Sequence, residues 1–270
     1  MPSSPALEEP LLASIVVPMR NEADNVALLV EEIEAACRDM AFEAILVDDG
    51  SSDETRTRVL EAMRGRPWLR LLSHPRSGGQ SAAVHSGVLA ARAPLICTLD
   101  GDGQNPPAEI PHLLAPFLVP DAPERLALVA GQRVARADTL SKRLASRIAN
   151  AIRVRVLADS TRDTGCGLKA FRREAFLALP YFNHMHRYLP ALFAAQGHAI
   201  AHVDVAHRAR HAGASNYTNL QRALVGCYDL IGVVWLIKRR KTVRPEEQGQ
   251  ASCMTSSSSS VSTLPWTSHG

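Results

Sequence analysis

Two aspartates separated by one glycine, Asp100-Gly101-Asp102, follow the short apolar run Leu95-Ile96-Cys97-Thr98-Leu99. Carboxylates at this spacing, just past a buried strand, can both turn into one crevice. Such oxygen ligands suit a hard divalent cation, Mg²⁺ or Mn²⁺, which takes one or two carboxylates and completes its shell with substrate phosphate and water. Gly101 removes a side chain where a ligand could approach. Taken alone, D-x-D is also the composition of a solvated turn ahead of a helix at Pro107. A second acidic pair, Asp48-Asp49, precedes Gly50-Ser51-Ser52-Asp53. A tight turn and helix cap account for Gly50 and for Ser52 or Asp53. They do not account for two consecutive acids, which repel each other unless donors or a cation compensate.

These acids act together only if the intervening elements bring them to one place. Leu11 to Pro18, Glu43 to Val47, Trp68 to Leu72 and Leu95 to Leu99 read as short buried strands, rich in β-branched and aliphatic residues. Between them, Val26, Leu29, Val30, Ile33 and Cys37 recur at helical spacing, with Asn21 available as the cap. Asp53 to Gly65 and Gln80 to Ala93 read as further helices, the latter opened by Ser77-Gly78-Gly79 and broken by Pro94. Strand and helix in alternation, joined by short loops, predict a Rossmann-like α/β fold: a mostly parallel central sheet with helices on both faces. Such sheets bind ligands at the carboxyl ends of their strands, and both acidic clusters fall there.

The second half is less regular. Leu126 to Gly131 and Ala199 to Val205 are strand candidates, and Leu140 to Leu157 reads as a basic amphipathic helix. Ala223 to Ile237 is apolar apart from Asp229 and is followed at once by Lys238-Arg239-Arg240-Lys241. A spanning helix needs about 20 apolar residues, so residues 217–241 suggest instead an interfacial helix with a basic cluster, or a core helix followed by a solvated charge run. The expected organisation is a flexible segment 1–10, one domain over 11–241, and a disordered serine-rich tail over 242–270.

Composition narrows the function classes. The 270 residues are 46% hydrophobic and 21% charged with a net charge of +3, as in an ordinary globular protein. That balance, and a basic helix without interleaved aromatics, argues against nucleic acid as partner. Five scattered cysteines without a C-x-x-C pair fit reduced thiols in the cytoplasm. No secretory leader is expected from MPSSPALEEP. There is no Gly-x-x-x-x-Gly-Lys run and no Gly-x-Gly-x-x-Gly after the first strand, which removes the main support for a phosphate-loop hydrolase or a hydride-transfer enzyme.

Three segments in order, Ser14-Ile15-Val16-Val17-Pro18-x-Arg20-Asn21-Glu22, Val47-Asp48-Asp49-Gly50-Ser51 and Leu99-Asp100-Gly101-Asp102-x-Gln104-x-Pro106-Pro107, resemble family 2 glycosyltransferases. The dolichyl-phosphate mannosyltransferase-like branch, which transfers sugars to polyprenyl phosphates, is the most similar. The resemblance implies the GT-A type nucleotide-diphospho-sugar transferase fold. It implies inverting, metal-dependent transfer of mannose or a similar sugar from a nucleoside-diphosphate sugar to a polyprenyl or dolichyl phosphate. Pro18, Arg20, Glu22, Val47 and Asp49 would line the nucleotide pocket, with Asp100 and Gly101 toward the sugar nucleotide. Asp100, Asp102 and Gln104 would serve Mg²⁺ or Mn²⁺. Arg133 and Arg210 would contact phosphate, Asn216 would complete the donor site, and Asp163 would orient the acceptor or the donor. Arg20 stands where the family often has an aromatic residue, and Asn216 where it often has lysine. The same branch implies a protein peripheral on the cytoplasmic face of the membrane, with self-association left open. Two alternatives are a same-fold transferase using a saccharide or soluble acceptor in cell-envelope polysaccharide synthesis, and a non-catalytic nucleotide-sugar-binding module.

Overall fold

The computed structural model describes residues 10–133, 157, 161, 163–208 and 219–241, with the backbone alone for 219–225 and 227. The first half follows the expected alternation: β1 (Ala13–Met19), α1 (Val26–Ala36), β2 (Phe42–Asp48), α2 (Thr55–Ala62), β3 (Leu69–Ser73), α3 (Gln80–Ala90) and β4 (Leu95–Thr98). Then come α4 (Ile110–Leu118), β5 (Leu126–Arg133), β6 (Lys169–Arg172), α5 (Arg173–Leu177), α6 (Leu189–Ala195), β7 (Ala199–Val205) and α7 (Asn219–Arg239). The helix expected over 140–157 and the tail over 242–270 lie outside the described residues, Leu157 excepted.

The seven strands form one sheet in the order β3-β2-β1-β4-β6-β5-β7. β6 runs antiparallel to β4 and β5, and every other pairing is parallel. Helices cover both faces, as the side-chain alternation of a doubly buried sheet requires. Ile15 and Val17 of β1 pack into a cluster with α1 and α4, while Val16 packs on the other face with α3, α5 and α6. β6 was not legible as a strand. Lys169-Ala170-Phe171-Arg172 offers only two apolar residues between charged ones, and pairing on both sides makes it a strand. Phe171 is fully buried and stacks on Phe176 at 4.8 Å.

At the amino edge of the sheet, buried Glu43 accepts hydrogen bonds from the Ser14 hydroxyl (2.7 Å), the Arg92 amide (2.7 Å) and the Arg70 guanidinium (2.6 Å). Burial alone would push its carboxyl up, but these donors hold it below the ordinary carboxylate range.

α7 packs Leu230, Val233, Val234 and Ile237 on the second cluster. The opposite stripe, Tyr228, Ile231 and Trp235, is 81%, 70% and 59% exposed. No helix among the described residues is long and apolar enough to cross a membrane. The chain divides after Lys238 into a main body and a C-terminal unit, of which Arg239–Lys241 are described.

Candidate active site

The parallel strands deliver Met19, Asp48, Thr98 and Arg133 to one edge of the sheet. β6 enters from that same edge because it is reversed. Its first residue, Lys169, pairs with Thr98 of β4 and Ala130 of β5. The preceding segment therefore crosses the carboxyl ends of the other strands. The Thr98 hydroxyl donates to the Gly167 carbonyl (2.9 Å) and the Gly131 amide to the Leu168 carbonyl (2.9 Å), which seats that segment against β4 and β5.

Asp100 sits directly under it. Its carboxylate accepts the side-chain amides of Gln80 (2.7 Å) and Asn105 (3.0 Å). A Cβ at Gly167 would overlap all three carboxyl atoms of Asp100, the farthest of them at 2.6 Å. Burial, then the charge of Asp102, pushes the Asp100 carboxyl up, and Lys169, Asn105 and Arg133 act against the rise. Asp102 turns its own loop by accepting the Gln104 amide (3.1 Å). Arg208 clasps that loop from the end of β7. Its guanidinium donates to the Gly103 carbonyl, its amide donates to the Gln104 carbonyl (3.1 Å), and Glu32 of α1 takes two further N–H groups at 2.8 and 2.6 Å.

Arg133 and Asp163, named independently from the sequence, form a bidentate pair at 2.6 and 2.9 Å. Hydrogen bonding to Asp163 raises the Arg133 pKa against the opposing effect of burial. Together with Pro18, Asp100, Gly167 and Lys169, Arg133 lines a cavity of about 310 Å³.

On the nucleotide side the loops after β1 and β2 are stitched together. The Asn21 amide donates to the Ser51 hydroxyl (3.0 Å), the Ser52 amide to the Asn21 side chain (2.9 Å), and the Glu22 amide to the Thr55 hydroxyl (2.8 Å). Asn21 thus does not cap α1. It takes a left-handed conformation, φ 57°, and spends its side chain on the neighbouring loop. Arg20 is exposed and Glu22 half-buried, holding Asn25 at 2.7 Å. Val47 is fully buried in the core, paired between β1 and β3, and exposes no atom to a ligand. Asp49 is buried as well, and its carboxylate accepts His74 (2.7 Å), the Ser77 hydroxyl (2.6 Å) and the amides of Gly78 and Gly79 (2.8 Å each). Burial would raise its pKa, and these four partners hold it below the ordinary range. Gly50 makes the approach of the two loops feasible. It has φ +67°, and a Cβ there would lie 2.7 Å from the Ser77 nitrogen.

The β4 acids, Pro18, Arg133 and Asp163 thus gather at one edge, and Asp49 reaches it through the Gly78–Gln80 turn. Glu22, Gly101, Asp102 and Gln104 stand on the flanking loops and are not among the residues lining the 310 Å³ cavity. Arg210 and Asn216 lie outside the described residues.

The profile of Glycosyl transferase family 2 matches residues 14–179, which span every element from β1 through α5. The chain belongs to this family. It is 34% identical over 222 residues to the undecaprenyl-phosphate 4-deoxy-4-formamido-L-arabinose transferase of Photorhabdus laumondii, covering 81% of this chain and 66% of that protein. It is 36% identical over 231 residues to the Yersinia pestis (strain Pestoides F) protein of the same description, covering 84% and 68%. The chain therefore spans about two thirds of the length of these relatives. Among solved structures it superimposes on Mycobacterium tuberculosis glucosyl-3-phosphoglycerate synthase in complex with Mn²⁺, uridine diphosphate and glucosyl-3-phosphoglycerate. The TM-score is 0.62 at 20% identity, covering 84% of this chain and 80% of that one. The same enzyme with Mg²⁺ and uridine diphosphate gives 0.61 at 21%, covering 84% and 79%. At this identity the likeness establishes a shared fold.

The roles of several residues at this edge escaped the sequence reading. Gln80 and Asn105 orient Asp100, Gly167 makes room for it, and Lys169 brings a buried ammonium beside it. His186 bonds the Ser81 hydroxyl through Nδ1 (2.7 Å), and burial, then Arg187, pushes its pKa down. Gln80 carried a local signal, its place at a glycine-led helix start, and Gly167 and Lys169 lie in the segment Asp163-Thr164-Gly165-Cys166-Gly167-Leu168-Lys169, which resembles the family's acceptor-side segment. Cys166 is buried, as expected for a structural thiol.

The donor set fits a divalent cation. Asp100, Asp102 and Gln104 offer oxygen only, and the two acids raise one another's energy when both are charged. Among the described residues no three His, Cys, Asp or Glu side chains gather into a group that could hold a metal ion, so a cation here would need substrate phosphate and water to complete its shell.

Proposed function

We propose that this family 2 member transfers a sugar from a nucleoside-diphosphate sugar to a polyprenyl phosphate, at the cytoplasmic face of a membrane. The observation that carries the reading is the cavity at the carboxyl edge. There the acid of β4 faces cationic side chains from β5 and β6, an arrangement suited to a diphosphate and a second phosphate together. The names of the two relatives support a polyprenyl-phosphate acceptor. They favour a modified arabinose at least as well as the mannose implied by the sequence motifs.

In this reading an oxygen of the acceptor phosphate bonds to the anomeric carbon as that carbon's bond to the donor diphosphate breaks. The electron pair departs with the nucleoside diphosphate, and attack from the opposite side inverts the centre. The acceptor phosphate is already anionic, so no strong general base is required. A divalent cation held by Asp100, Asp102 and Gln104 would supply Lewis-acid stabilisation of the leaving diphosphate. Gln80 and Asn105 fix the Asp100 carboxylate, and the Asp163–Arg133 pair holds a guanidinium at the cavity wall. Arg210 and Asn216 would belong to the same donor site. The outward stripe of Tyr228, Ile231 and Trp235 on α7, with Lys238-Arg239-Arg240-Lys241 following in sequence, supports an interfacial seat on anionic lipid.

The test is transfer to a short polyprenyl phosphate on liposomes, across a panel of nucleoside-diphosphate sugars with Mg²⁺ or Mn²⁺. One donor is expected to give a prenyl-phosphate sugar, chelator is expected to stop it, and Asp102→Asn is expected to lower the rate about 10²–10³-fold. Donor turnover onto water or a saccharide but never onto the lipid phosphate would overturn the acceptor assignment.

A further inference from the structure

Lys169 is 4% exposed and opens β6. Its ammonium carries three N–H donors, and the one hydrogen bond it makes within the described part of the chain goes to the Cys166 carbonyl. No carboxylate among the described residues forms an ion pair with it. Arg133, another cation of the cavity wall, already has its charge balanced by Asp163. A buried ammonium with a single carbonyl partner is costly, yet this one lines the cavity, together with Arg187.

Its place along the sheet indicates which anion it would meet. The proposed nucleotide side lies at β2 and β1, the proposed cation side at β4, and Lys169 stands on the next strand, β6. At about 4.8 Å per strand, β6 lies roughly 10 Å from β1, beyond Asp100 as seen from the nucleotide loops. An anion there would approach the reacting carbon from the side opposite the leaving diphosphate.

We propose that Lys169, assisted by Arg187, is the anchor for the acceptor's phosphomonoester, a site separate from the one that holds the donor diphosphate. This inference rests on the proposed transfer reading and assigns one of its two phosphate sites. Lys169 acts by fixing the position of an oxygen nucleophile, and a bound phosphate gives its ammonium a direct anionic partner in addition to the nearby charges of Asp100 and Asp163.

The test is calorimetric titration of the full chain with farnesyl phosphate, with farnesol as the uncharged control, and separately with nucleoside diphosphate plus Mn²⁺. Lys169→Met keeps most of the stem and removes the charge, and its thermal midpoint is expected to hold or rise. It is expected to weaken farnesyl phosphate at least tenfold while nucleoside diphosphate changes less than twofold, with Lys169→Arg restoring part of the loss. Arg187→Gln, at a partly exposed position, is expected to weaken farnesyl phosphate severalfold and carries the same comparison should Lys169→Met not fold. Unchanged farnesyl phosphate affinity in these variants, or an equal loss of both ligands, overturns the inference and leaves the transfer reading standing. A wild-type chain that binds nucleoside diphosphate but not farnesyl phosphate overturns the acceptor reading itself.

Discussion

Gly167→Ala is the sharpest perturbation available at this site, because the added atom has one place to go. A Cβ there would overlap the Asp100 carboxyl, with the most distant of its three atoms at 2.6 Å, whereas ordinary contact begins near 3.4 Å. Relief requires the carboxylate or the Gly167 backbone to move by about 1 Å. Neither is free to do so. The carboxylate is held by Gln80 and Asn105, and the backbone by the Thr98 hydroxyl on the Gly167 carbonyl. Overpacking of this kind costs about 1–3 kcal/mol, or a midpoint lower by about 2–10 °C in a body of this size. Activity is expected to suffer more than stability, since a displacement of about 1 Å at a reacting centre can cost about 100-fold. The assay is initial-rate transfer at a temperature where circular dichroism shows the variant fully folded. Gly165→Ala is a milder perturbation of the same cavity, since a Cβ there would meet the Arg133 guanidinium at 3.3 Å, and a smaller loss is expected. Wild-type turnover in folded Gly167→Ala would refute the argument that Asp100 works from the position seen here.

Glu43→Ala leaves Ser14, Arg70 and the Arg92 amide without their shared acceptor, and is expected to cost about 3 kcal/mol in chemical denaturation. Residual activity below the new midpoint is expected to be near normal, because this network sits at the amino edge, away from the cavity. Because the folded-state pKa of Glu43 is depressed, its stabilising contribution is complete above the unfolded value and fades as pH falls through the folded one. The acid limb of the stability profile is therefore expected to be shallower in Glu43→Gln. Arg208→Ala releases Glu32 and the Gly103 carbonyl of the Asp102–Gln104 loop, while the main-chain bond to the Gln104 carbonyl remains. A loss of about 1–2 kcal/mol in stability together with a raised KM for the donor is expected, and an unchanged KM would show that the loop keeps its form without the clasp.

The parallel half of the fold was written into local sequence. Short β-branched runs, helical spacing in Val26–Cys37 and the glycine-led turns each depend on neighbours a few residues away, so β1 to β4 and the placement of both acidic clusters could be read in advance. Motif order likewise led to the family. Some assignments depended on partners far along the chain. Asp49 carries the family motif, but nothing near it predicts that residues 74–79 would fill its carboxylate. Arg133 and Asp163 were each picked out, and their bidentate pairing came only with the fold. β6 is the clearest case. Four residues with two charges carry no strand period, and only the gap between β4 and β5 makes them one. Because that strand is reversed, the turn before it falls at the carboxyl edge, which places Gly167 against Asp100 and Lys169 inside the cavity. Periodicity and turn chemistry act over a few residues and survive in a linear reading. The direction of a short inserted strand is decided by pairing and burial across the whole sheet, and with it the charge balance of the site.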